Sequence, residues 1–204
     1  LIKVATLNVA NLHQGSNPAR IKRLAQAIHY ELESPHLIAL QEIGHYCHLP
    51  NSSPLKAEVG EILIEALLAE NPEITYAFAE VPPQPFSTGG AENLHIRSAF
   101  LYRSPLRLKK LSLLGEDSLT FIGGNYLSNN KQSLLFSPSR RPLHGQFNFY
   151  NKELHIINCH LKSMSSSTKK EAKIAKKQRH AQAAYIVAYA SSLAQSFPTL
   201  ILGD

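Results

Sequence analysis

The chain has 204 residues, 44% of them hydrophobic and 18% charged, which is the balance of one folded globular domain and excludes a disordered or fibrous segment. No apolar run reaches the roughly 18 residues that a membrane-spanning helix needs, and the opening Leu1-Ile2-Lys3-Val4 alternates like a strand rather than a leader peptide. With 21 Lys and Arg against 15 Asp and Glu, the formal charge is +6, which favours anionic partners.

Residues 2–8 are expected to form a short buried strand, and Asn17-Pro18 then opens an amphipathic helix with Ile21, Leu24, Ala25, Ile28 and Leu32 on one face. Ser34-Pro35 breaks it, and residues 36–42 are a second apolar run that ends on Glu42. Strand, helix, strand predicts mixed α/β packing. Residues 57–69 carry Val59, Ile62, Leu63, Ala66 and Leu67 at helical spacing until Asn71-Pro72 stops them. A strand over 74–81 is followed by turn chemistry at 82–90 and a strand over 96–102, and residues 106–114 are expected to return as its hairpin partner. Gly123 to Asn130 reads as another loop, and residues 143–150 and 153–160 form a hairpin around Asn151-Lys152. Thr168 with Glu171 is a capping box that opens a helix to about Ala194, with Tyr185, Ile186 and Tyr189 as core, and residues 199–202 are a last strand.

No internal repeat or linker divides the chain, so 1–204 reads as one domain. Apparent strands at both termini suggest that the domain is incomplete, above all at its C-terminus. Cys47 and Cys159 allow one bridge at most, and neither lies in a zinc-type pair.

Four strands end on a polar residue that a core strand would not choose: Asn8, Glu42, His160 and Asp204. Each has an ordinary reading, Asn8 as a turn or cap residue, Glu42 as a solvated charge and His160 as a structural histidine. Together they suggest convergence, because in layered α/β proteins ligands collect beyond strand ends. Carboxylates and an amide are hard oxygen ligands suited to Mg²⁺ or Mn²⁺, and a histidine among them can donate to a phosphate oxygen.

Several strings, in order, resemble the endonuclease/exonuclease/phosphatase superfamily over the whole of 1–204. They are Thr6-Leu7-Asn8-Val9, Ala39-Leu40-Gln41-Glu42-Ile43, Ala99-Phe100-Leu101-Tyr102-Arg103, Ser139-Arg140-Arg141-Pro142-Leu143, Asn158-Cys159-His160-Leu161-Lys162-Ser163, Arg179 with Gln182, and Ile201-Leu202-Gly203-Asp204. Gly89-Gly90 before His95-Ile96-Arg97, with the Ser-Arg-x-Pro-Leu string, is most similar to the bacterial extracellular nuclease branch of the deoxyribonuclease-like members.

The resemblance implies a four-layer α/β/β/α sandwich of two mixed β-sheets whose last strands are missing here, and a metal-dependent phosphodiester hydrolase, foremost a nuclease on DNA. It implies Glu42 as the principal ligand of Mg²⁺ or Mn²⁺, and Asn8 as a catalytic and metal-site residue that helps position the metal-bound water or the phosphate. Asp204 would orient or activate the attacking water and His160 would donate to the scissile phosphate. Arg140 and Lys162 would bind phosphate, with Asn158, Arg179 and Gln182 in support. Arg97 stands where relatives carry an acidic residue, and reads either as a further phosphate contact or as a surface arginine. Other expectations of the same fold are a phosphomonoesterase or a lipid or inositol phosphodiesterase, and, outside enzymes, a binding domain that kept the fold. The subfamily likeness also implies secretion or a periplasmic location. A closing Asp-His pair of the family has no counterpart here, so the chain as given is expected to be inactive by itself.

Lys169, Lys170, Lys173, Lys176 and Lys177 crowd the start of the last helix, where the macrodipole disfavours cations. They read either as a nucleic-acid backbone patch or as a solvated face.

Overall fold

Strand β1 (Val4–Leu12) lies parallel to β2 (Leu37–Tyr46), with Val4 opposite Leu37 and Asn8 opposite Gln41. The connection between them is α1 (Pro18–Gln26), which has Asn17 as its side-chain cap and continues as one π-helical turn over Ala27–Glu31. After α2 (Val59–Glu70) come β3 (Tyr76–Glu80) and β4 (Leu94–Arg103), and the first sheet has the order β1-β2-β4-β3 with β4 antiparallel to both neighbours. The second sheet, β5-β6-β7-β8, is built from β5 (Leu106–Leu113), β6 (Leu143–Phe149), β7 (Lys152–Cys159) and β8 (Thr199–Gly203). Helix α3 (Lys169–Ala194) carries the chain from β7 to the parallel β8. The computed structural model describes residues 1–46, 57–83, 88, 91, 93–115, 134–137, 139–165 and 167–204.

Burial on both faces explains the continuous apolar run of β2. Leu37 and Ala39 point between the sheets, where they meet Phe100, Leu143, Phe147 and Ile156. Ile38, Leu40 and Ile43 point the other way, onto Ile21, Ile28, Leu63 and Leu67 of the helical layer. Phe100 and Phe147 cross the inter-sheet layer edge to face at 5.5 Å. On the outer face of the second sheet, Ile186 and Ala190 of α3 cover Ile157 and Cys159, with Tyr185 and Tyr189 partly buried beside them. The layers are therefore helix, sheet, sheet, helix, as the family likeness implied.

Several expectations need correction. The segment 106–113 does not return onto β4: it crosses into the second sheet and pairs with β6, Leu106 opposite Phe149. The β6–β7 turn is Tyr150-Asn151, both at positive φ, rather than Asn151-Lys152. Cys159 is a buried free thiol, pushed up to about 12 by burial. Cys47, Gly89-Gly90 and the loop expected over 123–130 lie outside the described residues.

Candidate active site

Each sheet contributes one parallel strand pair joined through helix, β1 with β2 and β7 with β8, and parallel pairing sends both carboxyl ends to the same edge. His160 and Asp204 immediately follow β7 and β8. Asn8 and Glu42 do not end their strands. They sit at irregularities inside them: the β1–β2 register shifts between Asn8 and Leu12, and the β2–β4 register shifts between Leu40 and Ile43. At these bulges Ala10, Asn11 and Glu42 have φ of 46°, 58° and 60°, the left-handed region that non-glycine residues seldom enter. The bulge turns Glu42 out of the strand's alternation, leaving its side chain 21% exposed in a strand that is otherwise largely buried.

The four residues then meet. Asn8 Nδ2 donates to Glu42 Oε1 at 2.9 Å and to Asp204 Oδ2 at 2.7 Å, so one amide bridges carboxylates from the two sheets. Asn8 Oδ1 accepts from Ala10 N at 2.8 Å and is thereby turned to its own backbone rather than toward the carboxylates. His160 Nε2 lies 3.7 Å from Glu42 Oε1 and 4.0 Å from Asp204 Oδ2. Gly203 sets up Asp204: its φ is +138°, and a Cβ there would lie 1.9 Å from Cys159 O. Only glycine allows the two strands to approach this closely and deliver the next residue to the cluster.

The cluster opens into a cleft of about 550 Å³ whose walls include Glu42, Arg140, His160, Lys162, Arg179 and Asp204. Arg140 is 6% exposed, donates to Thr88 O and Leu161 O, and leaves its buried Nε without a partner among the described residues. Burial lowers its pKa to about 10, against the opposing pull of Glu42 and Asp204, so it stays cationic at neutral pH. Burial, reinforced by Arg140, pushes His160 down to about 4 despite the two carboxylates, so its imidazole is neutral at pH 7. Burial and Arg140 also lower Lys162. Lys162 N donates to the buried Gln182 Oε1, and Arg179 Nη1 donates to Lys162 O and Ser163 O, so α3 holds the segment that follows His160.

Asn158 is fully buried and reaches from β7 across to the first sheet, accepting from Gln41 Nε2 at 2.7 Å and donating to Leu40 O and Ala99 O. Gln41, which the sequence reading passed over, extends this link to Thr6 Oγ1, and Gln178 and Gln182 both donate to Leu135 O. A glutamine inside an apolar run was the available signal. Arg97 corrects the reading of a surface arginine. It is neither at the surface nor among the cleft-lining residues; it is 3% exposed and its Nη1 pairs with the fully buried Glu80 at 2.8 Å. A buried guanidinium requires such a partner, and Glu80 supplies it from the neighbouring strand.

Among the described residues no three His, Cys, Asp or Glu side chains form a closed metal cage. The donor set still fits a hard divalent ion of the Mg²⁺ type, which is held by one or two carboxylates together with water and substrate phosphate. Glu42 and Asp204 turn oxygens toward the same point, beside the Asn8 amide and the His160 ring, and two converging carboxylates are the oxygen donors such an ion takes.

No protein-family model and no curated protein matches the sequence. Solved structures do. The chain is similar to an endonuclease/exonuclease/phosphatase family protein from Leptotrichia buccalis C-1013-b, at 17% identity and TM-score 0.53, over 82% of this chain and 58% of that one. It is similar to a truncated Caenorhabditis elegans TDP2, at 14% identity and TM-score 0.51, over 100% and 61% of the two chains. A β-hairpin deletion mutant of beta toxin from Staphylococcus aureus matches at 14% identity and TM-score 0.58, over 100% and 66%. The chain spans about six-tenths of the length of these structures. At such identities the likeness is one of architecture, and two mixed sheets face to face with helices outside give this chain the endonuclease/exonuclease/phosphatase fold.

Proposed function

We propose that this domain belongs to a divalent-metal-dependent phosphodiester hydrolase that acts on DNA. The observation that supports it most is the meeting of Asn8, Glu42, His160 and Asp204, from four strands and both sheets, beside the buried cation of Arg140. A phosphodiester resists hydrolysis because its oxygens repel a nucleophile, so catalysis needs fixed positive charge, a placed water and a proton acceptor. Glu42, with Asp204 beside it, would hold Mg²⁺ or Mn²⁺, and the chemistry such an ion supplies when bound is neutralisation of charge on phosphate oxygens.

The chain's own groups do the rest. Asn8 orients the two carboxylates through its single amide. Asp204 takes the proton of a water that attacks phosphorus while the P–O bond to the leaving sugar oxygen breaks and that oxygen takes a proton from solvent, and the neutral His160 donates from Nε2 to a non-bridging phosphate oxygen. Arg140 keeps its charge fixed by two backbone carbonyls, while Lys162 and Arg179 flank the cleft and hold the phosphate in place. DNA is favoured over small or lipid phosphoesters by the +6 charge.

The test, made on the full-length protein that carries this domain, is hydrolysis of plasmid DNA, inositol phosphates and sphingomyelin, each with Mg²⁺, Mn²⁺ or a chelator. Metal-dependent DNA cleavage is expected. Turnover of inositol phosphates or sphingomyelin with no DNA cleavage in either metal would remove DNA as the substrate, and no turnover of any would remove the catalytic reading.

A further inference from the structure

We infer that one flank of α3 is a track for the DNA backbone leading into the cleft, formed by Lys169, Lys173 and Lys176 and ending on Arg179. The inference rests on the reading of the cluster as a phosphodiester-cleaving site. α3 runs from the carboxyl end of β7 back to the amino end of β8, so its first turns lie at the site end of the sheet. Arg179 lines the cleft itself. Lys176, Lys173 and Lys169 follow it backward at steps of three, three and four residues, the spacing at which helix side chains are surface neighbours. All three lysines are exposed, and among the described residues none makes an ion pair. The opposite flank is closed, since Ala181 and Tyr185 pack on Leu135 and Phe136.

Helix stability does not account for this charge. Neighbouring like charges repel, and cations at a helix N-terminus oppose the macrodipole. Glu171 is the only acid in α3, and its carboxylate is committed to Ser167 N and Thr168 N in the capping box. From Lys169 to Arg179 the helix rises about 15 Å, close to four base-pair steps of duplex at about 3.4 Å each. A continuous line of cations that ends at a cleft with a phosphate-type site suits a chain of evenly spaced phosphates. It does not suit a membrane surface, because the apolar face that a membrane-lying helix inserts is buried here on Ile157 and Cys159.

The decisive measurement is equilibrium binding of the protein, in chelator so that nothing is cleaved, to a duplex of about 20 base pairs between about 50 and 200 mM salt. A variant carrying Lys169→Gln, Lys173→Gln and Lys176→Gln is compared with wild type and with Lys152→Gln, which lies in the distant start of β7. The triple variant should bind about tenfold or more weakly at low salt, and its log-affinity against log-salt slope should be shallower by nearly 3. Lys152→Gln should keep both, and hydrolysis of bis(p-nitrophenyl) phosphate with metal should be unchanged in all three proteins. Equal slopes for wild type and triple variant, or an equal loss in Lys152→Gln, would overturn the track, as would a triple-variant defect confined to phosphatidylserine vesicles. A slope difference with no hydrolysis of either substrate by wild type would instead overturn the catalytic reading and leave the track standing as a DNA-binding surface.

Discussion

Glu42 is the residue at which backbone and chemistry are most tightly joined. A left-handed φ of 60° on a glutamate inside a strand costs on the order of 1–3 kcal/mol, and strain of this kind persists where the surroundings over-determine it. Here the surroundings are the β2 bulge and the Asn8 amide. Glu42→Gln keeps the shape and removes the charge, so it should leave the unfolding midpoint almost unmoved while lowering metal-dependent turnover by about a thousandfold or more. Titration with Mg²⁺ checks the reason: a variant whose activity rises with Mg²⁺ over the same concentrations as wild type would show that Glu42 does not hold the ion. Gly203 acts on the same site through the backbone. Gly203→Ala forces a Cβ against Cys159 O, so β8 must move away from β7 and carry Asp204 with it. The expected loss of stability is more than about 2 kcal/mol by urea denaturation, whereas Asp204→Asn should lose activity alone. Equal stability of Gly203→Ala and wild type would show that the strand pair tolerates the displacement.

Among elements, β7 is the one that locks the sheets in register at the site. Leu40 and Ala99 are the last partners before the β2–β4 register shift, and Asn158 takes up both of their carbonyls while its own oxygen accepts from Gln41. A bulge disrupts the ladder locally, and buried carbonyls need partners. Asn158→Leu keeps the volume and strands these groups, which should cost about 3 kcal/mol in denaturant unfolding, and a change below about 1 kcal/mol would mean that water replaces the amide. Most elements were legible in the sequence to within a few residues, because apolar periodicity and the breaks at Ser34-Pro35 and Asn71-Pro72 are local signals. Pairing was not. Alternation in residues 106–113 shows that the segment is a strand and is silent on whether its partner is β4 or β6. Asn8, Glu42, His160 and Asp204 stood out as polar residues closing apolar runs, but nothing local encodes a bulge, and β1 and β2 continue past the points where they were expected to end. The burial of Arg97 was illegible for the related reason that its partner, Glu80, is seventeen residues away on another strand.

At the scale of the molecule, burial of histidine makes stability depend on acid. His36, His45, His95, His144 and His160 all have pKa values lowered chiefly by burial, His144 and His160 to about 4. His144 is 3% exposed, with Nε2 against His155 Nδ1 at 2.9 Å and Nδ1 against Tyr189 Oη at 3.2 Å, so an added charge there would be buried away from water beside a second imidazole. The unfolded chain binds protons on these rings below about pH 6.5, while the folded chain takes them up only at lower pH, near 4 for His144 and His160. Above that value the rings are neutral in both states and contribute nothing to the balance. As pH falls from about 6.5 toward about 4, the unfolded state gains protons that the native state refuses, and stability declines by about 1.4 kcal/mol per pH unit for each ring fully protonated in one state only. Glu33 and Glu153, held low by hydrogen bonds from Lys3 and Lys109, lose their contribution in a later window, as pH falls below the ordinary glutamate range. Both sets act in the same direction, so acid should unfold the domain in one steepening fall. Urea midpoints in chelator should be level between about pH 8 and 7 and should drop progressively from about pH 6.5 downward. His144→Gln removes one such ring and should flatten the fall by about 1.4 kcal/mol per pH unit near pH 5. A wild-type midpoint that stays constant down to about pH 5 would show that these rings take up protons in the folded protein as readily as in the unfolded chain.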